Sequence, residues 1–274
     1  GTTDLGPRLS ESNLRLFGGV HRGYTPPSSA TFAIVGFDPP GATGQSDGGF
    51  DLKAEKSWNS ELGVRGRSAA GQFDITGFYL YVEDLVGGRT RFQKNLGVVE
   101  SYGVEARTRI EGDAFATPLP TLDVSYTFLQ SAVVQGVITS AIDGTPQDIG
   151  GNELPAAPTH TATVGLSKTF SGIGLTLSTD LKYTGRFYTD LENLERTNNR
   201  GERGPVPAHT VLDAGATYEY SDAFSIQLTA KNVTDNVYIG SRLHSNPRQP
   251  QANLSTGIIP GARRQINLSI QYDF

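Results

Sequence analysis

The last eleven residues, Arg264-Gln265-Ile266-Asn267-Leu268-Ser269-Ile270-Gln271-Tyr272-Asp273-Phe274, change character at every step. From Ile266 onward each even position is apolar or aromatic, while positions 265, 267, 269, 271 and 273 are Gln, Asn, Ser, Gln and Asp. A period of two is the mark of an extended strand whose faces meet different surroundings. The same period recurs along most of the chain. In residues 102–111, Tyr102, Val104, Ala106, Thr108 and Ile110 oppose Gly103, Glu105, Arg107, Arg109 and Glu111, so every charge falls on one face. That face cannot be a dry core. Further strands are read over residues 57–67, 121–129, 160–170, 173–186, 210–220 and 224–233, and more blurred ones over 14–22 and 72–85. Ten strands result, with no helical periodicity of comparable length, so the predicted class is all-β.

The connections carry a second pattern. Long segments at residues 23–51, 86–95, 135–158, 187–209 and 234–261 alternate with tight ones at 68–71, 112–120, 171–172 and 221–223. In an antiparallel up-and-down meander this puts every long loop on one rim and every tight turn on the other, as in transmembrane β-barrels. A soluble β-sandwich, for example a carbohydrate-binding one, also alternates. Three features favour the barrel. The strands read here run to ten or more residues, against a usual five to six and the nine to eleven that cross a bilayer. Charges such as Asp180 and Lys182 sit mid-strand on one face while the other is nearly charge-free. Aromatic residues, Trp58, Tyr79, Tyr126, Tyr218, Tyr272 and Phe274 among them, fall toward strand ends, where membrane-interface girdles lie.

Composition narrows function. The hydrophobic fraction is 36% and no apolar run approaches the ~20 residues of a membrane helix, which excludes helical membrane proteins and leaves barrels open. A net charge of −5 without basic clusters argues against nucleic acid as a partner. Cys is absent, which removes disulfides and thiolate chemistry. The four histidines, at 21, 160, 209 and 244, form no metal-ligand spacing, and neither a GxSxG elbow nor a P-loop occurs, so no catalytic residue, metal site or cofactor is expected and the chain is read as a non-enzyme. Met is also absent, and Gly1-Thr2-Thr3-Asp4 lacks the features of a leader, so a processed chain or a piece of a longer protein is expected.

Leu228-Thr229-Ala230-Lys231-Asn232-Val233-Thr234-Asp235-Asn236-Val237-Tyr238, followed by a terminal alternating strand ending in Phe274, resembles the C-terminal end of TonB-dependent outer-membrane receptors. Tyr24-Thr25-Pro26-Pro27 and Leu52-Lys53-Ala54-Glu55-Lys56-Ser57-Trp58-Asn59-Ser60-Glu61-Leu62-Gly63 are similar to mid-barrel segments of that family, and residues 241–244 with 261–264 are similar to its ferric-citrate subset. The resemblance implies a location in the bacterial outer membrane, in contact with lipid, and energy-coupled uptake of a ferric chelate, a siderophore or ferric citrate. It implies about ten strands of a 22-stranded type of barrel, residues 1–274 being its C-terminal portion. The plug domain and the TonB box that family members carry are absent from these residues. The partners it implies are N-terminal barrel strands and a plug, in a separate chain or missing, and the TonB inner-membrane complex acting through that plug. Closure into a small ten-stranded pore, a plug-less porin or an adhesion barrel are the other membrane readings. Anionic chelates call for cationic and hydrogen-bonding loop residues. Arg22, Arg89, Arg91, Arg196, Arg242, Arg248 and Asn253 are the candidate ligand contacts, with Arg200, Arg203, His21, His244 and Gln249 nearby.

Overall fold

The computed structural model describes residues 13–27, 52–87, 94–116, 119–140, 144–198, 201–242 and 257–273. Fourteen strands are formed by these residues. They are β1 (Asn13–Thr25), β2 (Glu55–Ser68), β3 (Gly71–Gly87), β4 (Lys94–Ile110), β5 (Thr121–Gln135), β6 (Val137–Thr139), β7 (Pro146–Asp148), β8 (His160–Phe170), β9 (Leu175–Thr184), β10 (His209–Ser221), β11 (Phe224–Lys231), β12 (Ile239–Arg242), β13 (Ile258–Pro260) and β14 (Gln265–Tyr272). Ten of them form one antiparallel sheet in the order β1-β2-β3-β4-β5-β8-β9-β10-β11-β14. The pairs β6-β7 and β12-β13 are separate hairpins inside long loops, and the sequence reading did not foresee them. Two strands run well beyond their expected limits. β4 begins at Lys94 and β5 continues to Gln135; the pairing skips Leu96 of β4 against β3 and Val134 of β5 against β4, and these irregularities break the two-residue period there.

Register fixes which side chains share a face. One row runs Leu14–Gly66–Phe73–Thr108–Val124–Val164–Leu181–Leu212 across eight strands. It starts near the tight-turn end of β1 and finishes near the long-loop end of β10. A climb of roughly eight residues over seven strand spacings is a tilt of about 40°, the range of membrane barrels. This face has no second layer over it among the described residues. Leu62 is 63% exposed and Leu228 45%, and the buried apolar side chains among the described residues, Val99, Val133, Ile149, Phe187, Tyr188 and Val206, lie on the inner side and in the loops. A sandwich would bury its apolar face against another sheet. The sandwich reading is therefore overturned: among the described residues no second sheet covers the oily side chains.

The opposite face is polar. The neighbouring row reads Arg15–Arg65–Asp74–Arg107–Ser125–Thr163–Lys182, and the next includes Arg67, Arg109, Asp123, Asp180 and Asp213. Cross-strand ion pairs bind it together: Arg65 Nε to Asp74 Oδ2 at 3.1 Å, Arg109 Nη1 to Asp123 Oδ2 at 2.9 Å, and Lys182 Nζ to Asp213 Oδ2 at 2.6 Å. The long loops lean over this polar side, since Ile149 packs with inward-pointing Val99 and Val133. It is thus the inner side of a curved wall. Among the described residues β1 pairs only with β2 and β14 only with β11, so the sheet does not close on itself into a ten-stranded pore.

At the tight-turn rim, a short 3-10 turn over Ser171–Ile173 ends at Gly174 in the left-handed conformation (φ 65°), where a Cβ would lie 2.3 Å from the Glu219 carbonyl oxygen. At the opposite rim β11 stops at Asn232, which is also left-handed (φ 49°) and 2% exposed. Its Nδ2 donates to the carbonyls of Asn236 and Ala262, both at 2.9 Å, and its Oδ1 accepts from Asn236 N at 2.9 Å. Both its conformation and its hydrogen-bonding capacity are thereby used. Asn232→Ala is expected to cost about 2–3 kcal/mol through two orphaned carbonyls and an unsuited φ. Asn232→Gly should recover only the backbone part, which heat-dependent unfolding of the two variants would resolve.

Candidate functional site

Three loops at the long-loop rim interlock into one body. The loop after β5 folds back along its own strand: Val133 N donates to Asn152 O at 2.8 Å and Gly151 N to Val133 O at 2.7 Å. The loop between β9 and β10 is pinched by the Phe187–Val206 bridge, with both side chains buried. The two are stitched by Ala156 N to Tyr188 O at 2.8 Å, Asn152 Nδ2 to Leu191 O at 2.7 Å, and a reciprocal pair in which Glu153 N donates to Asn193 Oδ1 and Asn193 Nδ2 to Glu153 O. The third loop, between β11 and β14, is tied in by Arg242. Its guanidinium is buried and donates to Pro205 O at 3.1 and 2.9 Å, Gly201 O at 2.6 Å and Thr197 Oγ1 at 3.3 Å. Burial lowers its pKa from the usual arginine value without discharging the guanidinium.

Charge inside this body is largely spoken for. Arg203, mostly buried, faces Glu192 Oε1 at 3.4 Å and Asp190 Oδ2 at 3.9 Å. Arg186 lies over the Tyr188 ring at 4.8 Å and donates to Glu195 Oε2 at 2.6 Å, while Tyr188 OH donates to Glu195 Oε1 at 2.5 Å. The Tyr188 hydrogen bond, and after it that from Arg186, holds the Glu195 carboxyl below its ordinary 4.5, and burial followed by the bond to Glu195 pushes the Tyr188 phenol up. The proton therefore stays on Tyr188 and the charge on Glu195. A depressed carboxylate contributes fully above pH 4.5 and loses its contribution as pH falls through the lower, folded value. Protection of the amides in residues 186–195, measured relative to the intrinsic exchange rate at each pH, is expected to fall on acidification below that point, and Glu195→Gln to remove this acid dependence. Asp235 is lowered further by two hydrogen bonds from Arg263 and one from Arg264 N, so the β11–β14 connection should outlast the Tyr188–Glu195 contact in acid.

The described candidate ligand residues part company. Arg242 is enclosed and satisfied by carbonyls. Arg22 shares the outward face with Leu14 and Leu16 and stands 5.2 Å from the Trp58 ring centroid, on the bare side of the sheet. His21 is on the inner side, 4.0 Å from Glu61. Arg196 is exposed beside Glu195 and has no partner among the described residues. Arg89, Arg91, Arg200, His244, Arg248, Gln249, Asn253 and Phe274 lie outside the described residues. Trp58, Tyr79, Tyr126, Tyr218 and Tyr272 share the outward face, Trp58 toward the long-loop rim and Tyr218 and Tyr272 toward the tight turns. The sequence reading missed the Arg186–Tyr188–Glu195 and Arg203–Asp190–Glu192 groups, because their members are spaced without period in a loop. Among the described residues no cluster of metal-ligating side chains could hold an ion.

A tilted single-layer sheet, oily and bare outside, charged inside and roofed by long loops at one rim, is the wall of a transmembrane β-barrel. Comparison with known families agrees: the model of the TonB-dependent receptor-like β-barrel matches residues 7–233, and the chain belongs to that family. No curated protein matches it by sequence. The ferric citrate transporter FecA in its unliganded form superposes with a TM-score of 0.72 at 17% identity, covering 95% of this chain and 36% of that one. The ferric yersiniabactin uptake receptor FyuA from Yersinia pestis gives 0.68 at 18%, covering 95% and 35%. The copper transporter OprC gives 0.66 at 14%, covering 97% and 38%. The chain therefore spans little more than a third of the length of these structures, and at such identities the likeness concerns the fold.

Proposed function

We propose that this chain is the C-terminal part of the wall of an outer-membrane receptor that takes up a ferric chelate, a siderophore or ferric citrate, by energy coupling through TonB. The observation that carries the reading is the loop body: three loops locked together over the inner, polar side of the wall, where a ligand arriving from outside the cell would first meet the protein. The two open edges, β1 and β14, support completion by further strands, since unpaired backbone groups are not tolerated in a bilayer. Plug and TonB contact would then lie in other parts of the protein. The chain's own role is binding and scaffolding, with no bond-making step.

Arg196 is the described cation free to meet an anionic chelate, and Arg89, Arg91, Arg248 and Asn253 complete the proposed contacts. Arg196→Ala in the full-length protein is expected to weaken binding of its ferric chelate about ten-fold or more, the loss of one charge-assisted hydrogen bond. Titration of intrinsic Tyr and Trp fluorescence against a panel of ferric chelates reads this directly. Absence of binding to every ferric chelate, with binding of a copper complex instead, would replace the cargo while leaving the wall intact.

A further inference from the structure

The apolar face of the wall is not charge-free everywhere. Among residues 13–25, 55–86 and 98–110, the charged residues on its outward rows are Arg22, Lys56, Glu83 and Glu100, gathered at the long-loop end. Lys168, an outward charge at the opposite rim, is neutralised by Asp113 at 2.9 Å. Glu100 accepts from Tyr79 OH at 3.0 Å. Arg22 is held over Trp58, and the register places Tyr24 beside Lys56 one row further out. Arg22, Tyr24, Lys56 and Trp58 are all exposed, and neither cation has an ion-pair partner among the described residues, although Glu83 stands across from Lys56 on β3.

Two cations with no ion-pair partner among the described residues, flanked by Trp and Tyr at the edge of an oily band, match the level where lipid headgroups begin. An unpaired guanidinium pointing away from the lumen at that level is stable when an anion of the bilayer meets it. We infer that Arg22 and Lys56, seated on Trp58 and Tyr24, bind the phosphate of an anionic lipid headgroup in the leaflet at the long-loop rim. Arg22 supplies the planar donor fork, Lys56 the second charge, and the two rings pack against the glycerol or sugar next to the phosphate. This rests on the outward face being lipid-facing and is independent of the imported cargo.

The test is native mass spectrometry of the full-length protein in zwitterionic detergent, offered equal amounts of phosphatidylglycerol and phosphatidylcholine. The wild type is expected to retain phosphatidylglycerol preferentially, and Arg22→Gln with Lys56→Gln to lower its retention about thirty-fold, from the loss of two cations near a charged headgroup. Arg22→Lys with Lys56→Arg should keep most of it, and excess inorganic phosphate should not displace it, since a free ion lacks the tails. Equal retention of both lipids by the wild type would overturn the proposal even if the double variant failed to fold, as would unchanged retention in a folded double variant. Failure of the protein to enter detergent micelles as a barrel would instead sink the membrane reading beneath it.

Discussion

Val164→Arg is expected to prevent assembly of the barrel, whereas Ser167→Arg, three residues along the same strand, should assemble normally. Val164 lies mid-strand on the bare outward face in register with Val124 and Leu181, and Ser167 on the inner face opposite Thr121 and Ser178. An arginine near the middle of the lipid-facing band costs about 2–4 kcal/mol, a large fraction of the margin that keeps a protein folded, and one facing a wet lumen costs little. Heat-dependent electrophoretic mobility of the outer-membrane fraction separates the two outcomes. Were both variants to assemble equally, the two faces would not differ in solvent.

The second large effect belongs to the loop body. Arg242→Ala should leave the barrel intact and loosen the loops. The guanidinium's contacts to Pro205 O, Gly201 O and Thr197 Oγ1 span 37, 41 and 45 residues of chain, so nothing local replaces them. Removing it strands buried carbonyls, which at about 1–3 kcal/mol each amounts to several kcal/mol of local stability. Amide exchange and limited proteolysis within residues 186–206 should rise about a hundred-fold or more while strand amides stay protected. Arg242→Lys should rescue little, because one ammonium cannot reproduce a planar fork reaching three acceptors.

The faces of this protein were legible in its sequence because a strand's environment alternates with the same period as its side chains. The rows through Tyr102–Ile110 and Ile266–Tyr272 in the structure are the apolar positions read from the chain. Legibility failed where the period did. The irregularities at Leu96 and Val134 hid the first part of β4 and the last part of β5, and reading β1 to end at Arg22 rather than Thr25 cast that residue as a loop cation when its parity with Leu14 and Leu16 already marked it as outward. The loops were opaque for another reason. Whether an arginine there is free depends on partners far along the chain: Arg203 is matched to Glu192 and Asp190, and Arg242 to carbonyls beyond it, through folds that carry no periodic signal. Composition counted these arginines, and only geometry separated Arg196 from them. The Asn232 segment was singled out by resemblance, and its physical reason, a left-handed asparagine holding Asn236 and Ala262, came from the structure.

Residues 1–274 contain no cysteine, so, with any cysteine elsewhere in the full-length protein replaced by serine, single cysteines carrying a spin label can be placed one at a time along Thr161–Lys168 in the protein reconstituted in lipid. The account predicts a two-residue oscillation in collision rates: labels at 162, 164 and 166 meet lipid-dissolved oxygen, and those at 161, 163, 165 and 167 meet a water-soluble nickel chelate. Apolar positions shielded from both reagents would mean a second protein layer covers them, and would contradict the barrel wall.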